Sequence, residues 1–87
     1  MSAIVNVTTR SASVYQIDFA RSSFRKAVTS AGSMVSTFPW RPLYSLEGRM
    51  STKGNFEPID RPEVGQHLLF NRHETEWVAT SRIASVA

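Results

Sequence analysis

The chain has 87 residues, no cysteine, 41% hydrophobic and 20% charged residues, and a formal net charge of +3. A chain this short supports one modest core and leaves no room for a large internal substrate cavity. Without cysteine there are no disulfide staples, no thiolate catalysis and no thiolate metal site, which fits a reducing compartment, and the charged fraction is too low for a solvated disordered chain.

Met1-Ser2-Ala3-Ile4-Val5-Asn6-Val7-Thr8 has no basic n-region and only a short apolar run, so it reads as a first strand and not as a signal peptide. Nothing downstream approaches the length of a membrane span, and a soluble intracellular protein is the expectation. Ala3 to Thr9 is rich in β-branched residues, with Val5, Val7 and Thr9 on one face. After the polar break Arg10-Ser11-Ala12, residues 13–19 alternate: Tyr15, Ile17 and Phe19 inward, Gln16 and Asp18 outward. A hairpin is expected between these two strands.

Residues 19–31 fit two readings. Phe24, Ala27, Val28 and Ala31 have the spacing of a short amphipathic helix, with Asp18 as its cap and Gly32 as its end. Alternatively, a turn at Ala20–Ser22 leads into a third strand at Ser23–Val28, with Phe24 and Val28 inward. Two serines and a threonine weaken the helix, and a helix this short is marginal without packing, which tips the balance to the strand.

Residues 30–63 read as a long irregular connection. Phe38-Pro39-Trp40-Arg41-Pro42-Leu43-Tyr44 is stiff and non-helical, because each proline fixes its own φ and holds its predecessor extended. Leu43-Tyr44-Ser45-Leu46 could add an edge strand, and Arg49 to Asn55 reads as a polar turn. A connection this long with little regular structure is more often functional than inert. The last third, from Val64 to Val86, holds two β-prone runs around the tip His73-Glu74 and reads as a second hairpin. Leu68 and Phe70 share one of its faces, and Trp77 is expected to be its largest burial.

The sum is one domain over residues 1–87, all-β or mainly β with one short helix. Its expected architecture is a small antiparallel sheet or an SH3- or OB-like barrel of five or six strands.

Charge is uneven. Residues 1–42 carry Arg10, Arg21, Arg25, Lys26 and Arg41 against Asp18 alone, while residues 43–87 are near neutral. A basic half can meet phosphate or an acidic protein, or it can be an ordinary solvated surface.

Reactive groups do not converge. His67 and His73, with Glu74 and Glu76 nearby, show no further ligand to complete a metal site and read as solvated residues near a hairpin tip. Asp60, Glu63, Glu74 and Glu76 have nothing to place them in a cleft. There is no Gly-x-Ser-x-Gly elbow, no P-loop and no Gly-x-Gly-x-x-Gly. The expectation is a non-enzyme with no catalytic residues, no metal and no cofactor.

Two binding surfaces remain. Phe38, Trp40, Arg41 and Tyr44 are residue types in which association energy concentrates, and the flanking prolines lower the ordering cost of binding a protein. The competing structural reading is that Trp40 and Tyr44 close one end of a barrel. The second surface is for nucleic acid, with Arg10, Tyr15, Arg21, Arg25 and Lys26 presented beside Trp40 on a sheet face. Self-association through an exposed strand edge is a further option.

Residues 8–18, Thr8-Thr9-Arg10-Ser11-Ala12-Ser13-Val14-Tyr15-Gln16-Ile17-Asp18, are followed far downstream by Val64-Gly65 and by Trp77-Val78-Ala79-Thr80-Ser81-Arg82-Ile83-Ala84-Ser85-Val86. In these two patches the chain resembles small uncharacterised β-rich proteins encoded by bacteriophages and prophages of actinobacteria. Ala12 stands where that group usually has glycine. The resemblance implies a phage accessory protein that acts in the host cytoplasm by binding a host macromolecule, in the first place a host protein of defence or transcription. It brings no activity to carry over residue by residue.

Overall fold

The computed structural model describes residues 4–31, 33–50, 52, 54–73 and 76–87, with the side chain of His73 excepted. Ala3, Gly32, Ser51, Lys53 and the tip residues Glu74 and Thr75 lie outside the described residues.

The β-branched and alternating runs at the start of the chain form an antiparallel meander. Strand β1 (Ile4–Thr9) pairs with β2 (Val14–Asp18), and β2 pairs with β3 (Ser23–Ser30). Cross-strand partners share a face, so Val7, Tyr15 and Lys26 lie in one row and Val5, Ile17 and Phe24 in the next. That face is the inner one: Val7 and Ile17 are fully buried, and Tyr15 and Phe24 nearly so. The opposite face carries a polar ladder in which Gln16 Nε2 donates to Asn6 Oδ1 (2.9 Å) and Arg25 Nε donates to Gln16 Oε1 (2.6 Å). Phe19 departs from expectation. It falls beyond the end of β2 in the turn to β3, where it loses the pleat that would have aimed it inward, and is exposed.

Residues 19–31 take the strand reading, and no helix occurs among the described residues. The stretch 30–63 is more regular than its composition suggests. It contributes β4 (Ser33–Thr37), β5 (Arg41–Pro42), β6 (Ser45–Met50) and β7 (Glu57–Pro58). Arg49 and Met50, expected in a polar turn, close β6. The C-terminal hairpin forms from β8 (Gln66–His73) and β9 (Glu76–Ala79), but its second arm stops at Ala79. Residues 83–86, read as part of that run, make a separate strand, β10 (Ile83–Val86), which pairs with β1 in the other sheet.

The ten strands of the described residues make two antiparallel sheets. One has the order β10-β1-β2-β3-β4, with β5 on the same edge of β3 as β4; the other has the order β7-β6-β8-β9. The fold is therefore all-β, as the patterning implies, but it is not a closed barrel and has more strands than five or six. Short pairings at Arg41–Pro42 and Glu57–Pro58 account for two of the additions, and their prolines concealed them from a reading by strand propensity.

Between the sheets sits one cluster of Val7, Tyr15, Ile17, Phe24, Leu46, Leu68, Phe70 and Ile83. Phe70 is the largest fully buried side chain. It stacks on Phe24 from the other sheet, with centroids 4.7 Å apart and planes 5° apart, and lies 5.3 Å from Tyr15. Trp77, expected to fill this position, is 46% exposed. The register explains the difference: Val78 sits opposite Phe70, so Trp77 opposite Asn71 belongs to the outer face.

Candidate binding groove

The edge of β3 that faces β4 and β5 is the origin of the site. Thr37 lies opposite Ala27, and Arg41 lies opposite Phe24, so four steps along one strand match three along the other. The extra residue is a β-bulge centred on Phe38-Pro39-Trp40. Pro39 sits at the point where the chain leaves the ladder, and its fixed φ holds the kinked backbone there. Phe38 N donates to Lys26 O (2.9 Å) just before the break, and Leu43 N donates to Ser22 O (2.8 Å) after it.

The bulge decides which side chains meet. Residues three apart on a regular strand point to opposite faces; with one residue added, Phe38 and Arg41 both turn to the face shared by Lys26 and Phe24. Trp40 goes the other way and lies over the Arg25 guanidinium, 4.2 Å from Cζ to the ring centroid. Arg25 is thus held from two sides, by Gln16 and by the indole.

On the inner side the two sheets do not close, and an open groove of about 280 Å³ remains. Its floor and walls are Tyr15 and Phe24 from the core, Phe38 and Pro39 from the bulge, and Val78 from β9. Three cationic side chains border it, Lys26 and Arg41 from one sheet and Arg72 from the other. Arg25 also lines it, but its guanidinium is held on the opposite face by Gln16 and Trp40. The described lining contains no carboxylate. At the Arg72 end, Nη1 lies 3.4 Å from Glu76 Oε2. Arg25, Lys26 and Arg41 have no carboxylate within ion-pair distance among the described residues. Burial of the Tyr15 ring raises its phenol above the usual value.

The structure therefore divides and recombines the residues singled out in the sequence. Phe38 and Arg41 from one set join Tyr15, Arg25 and Lys26 from the other in one groove. Tyr44 is 67% exposed and borders a separate hollow of about 210 Å³ with Phe19, Leu43 and Ile59. Arg10 follows β1, where its N donates to Arg82 O, and Arg21 lies in the turn between β2 and β3; neither lines the groove. Trp40 closes no barrel end, since none exists.

Arg72 and Val78 were missed as groove residues. Both belong to the C-terminal hairpin, and only the packing of one sheet on the other brings them to β3. Val78 was findable from the hairpin register, as the neighbour of Phe70. Of the histidine and carboxylate set near the tip, Glu74 and the His73 side chain lie outside the described residues. No group of three or more metal-binding side chains occurs among the described residues. No helix there is long and apolar enough to cross a membrane.

Comparison of the chain with family models, with curated proteins and with solved structures yields no match.

Proposed function

We propose that this is a non-catalytic binding domain that engages an anionic macromolecule through the groove between its sheets. The observation that carries the reading is the convergence of Lys26, Arg41 and Arg72 on one apolar-walled groove whose described lining has no carboxylate. Like charges gathered on a low-dielectric surface raise the local potential and favour a polyanion there. The net charge of +3 alone would not. The resemblance to phage-encoded proteins supports, within this proposal, a partner among the macromolecules of a host cytoplasm.

Retention on heparin tests the groove. The double variant Lys26→Glu/Arg41→Glu is expected to elute at clearly lower salt than the wild type. The charge-matched control Arg10→Glu/Arg21→Glu, outside the groove, is expected to elute close to it. Equal losses in both would show that overall charge, and not the groove, does the binding.

A second reading, a host-protein contact outside the groove, is favoured by the exposure of Trp40 (37%) and Tyr44 (67%). Trp40→Ala should then abolish pull-down of the host partner with the circular dichroism unchanged. Retention of the partner by that variant would remove this reading.

A further inference from the structure

We infer that the ligand of the groove is a single-stranded nucleic acid, bound with a base against Phe38 and its phosphates on Lys26 and Arg41. The inference rests on the groove being the binding surface and assigns the chemical class of what enters it. The two kinds of lining select between polyanions. An acidic polypeptide can satisfy the cations but brings few flat apolar groups to the aromatic walls. A duplex keeps its bases stacked inside and offers mainly phosphates to a site of this kind. A single strand presents a phosphate and an unstacked ring together, the pairing that aromatic platforms set among basic side chains recognise.

The rim has both parts in place. Phe38 is 51% exposed, so its ring is open to a partner ring. Its backbone is also fixed, because its own N–H is tied to Lys26 O at 2.9 Å and Pro39 restricts the residue before it. Arg41, opposite Phe24, turns its charge to the same face. The groove, at about 280 Å³, is of limited extent, which points to one base per site and contacts with a short run of backbone.

The test is fluorescence anisotropy with a labelled oligothymidylate. A blunt duplex of equal length and poly-L-glutamate serve as competitors. The single strand is expected to bind more tightly than either competitor. Phe38→Ala and Phe38→Leu should each weaken it about tenfold, within the range for loss of one stacking platform. The leucine variant keeps the apolar bulk and removes only the ring. Arg41→Ala should weaken binding and lower the slope of log affinity against log salt by about one, while Arg21→Ala leaves the slope unchanged.

Competition by polyglutamate as strong as that of the single strand would overturn the assignment. So would indifference to both Phe38 substitutions. If the heparin test with Lys26→Glu/Arg41→Glu still shows loss, the groove stands as a polyanion site and only the nucleic-acid ligand falls. If that variant is retained like the wild type, both fall.

Discussion

Tyr15 belongs to the core and to the groove at once: its ring lies 5.3 Å from Phe70, and it lines the groove. Burial disfavours the phenolate, so the folded-state pKa lies above the unfolded value. An acid whose pKa rises on folding contributes stability that is fully present below its unfolded value of about 10 and is lost as pH climbs through the folded value. Chemical denaturation should therefore show a loss above about pH 10 that Tyr15→Phe reduces. An unchanged alkaline loss in that variant would assign it to other groups. Gly48 offers a second measurement. A Cβ there would lie 2.9 Å from Ile59 Cδ1 and 3.1 Å from Gln66 Oε1, and that oxygen already accepts from Glu63 N at 3.0 Å. Overpacking costs about 1–3 kcal/mol, against the roughly 0.5–1 kcal/mol that alanine recovers in chain entropy. Gly48→Ala is thus expected to destabilise by about 1 kcal/mol, read as a lower urea midpoint at constant m.

At the level of elements, alternation carried most of the reading. Tyr15, Ile17, Leu68 and Phe70 are inward, as their period-2 spacing requires. Alternation does not say which of two faces meets the other sheet, and this is where Trp77 was misplaced. Size argued for burial; pairing with Asn71 put it outside. The consequence is measurable: Phe70→Ala should cost about 3–5 kcal/mol in thermal or urea unfolding, and Trp77→Ala less than about 1 kcal/mol. Comparable losses would mean that the hairpin packs by its other face. The bulge at residues 38–40 was not legible, although Pro39 was, because an inserted residue is defined only against its partner strand. For the same reason Phe38, Trp40, Arg41 and Tyr44 read as one patch, whereas the register sends them to three places.

For the whole molecule, the two hairpins were local and readable, and the relation between the sheets was not. A barrel and an open pair of sheets draw on the same strands; they differ in whether the last edges meet. Here β4 is exposed along most of its length, with Met34 at 48% and Val35 at 62%, and it is irregular, since the register slips between Val28 and Thr29. Slips of this kind twist an edge away from further pairing. The groove is the product of that failure to close, and this is why the basic half of the sequence indicated charge but not its location. The charge-matched heparin comparison is the appropriate test at this scale, because it holds net charge constant and changes only where it sits.

The placement of β10 has a consequence for synthesis. Val7 pairs with Val86, and Asn6 and Ala87 exchange backbone hydrogen bonds of 2.7 and 2.8 Å, so β1 waits for β10, made more than seventy residues later. Until β10 is made, β1 has β2 on one side and lacks its β10 partner on the other. Ile83, whose side chain completes the interior, has not yet emerged. Contacts that span nearly the full chain form slowly. A nascent chain arrested before residue 83 would thus display a bare border rich in β-branched residues, a natural point for a chaperone to hold and for a stalled product to aggregate.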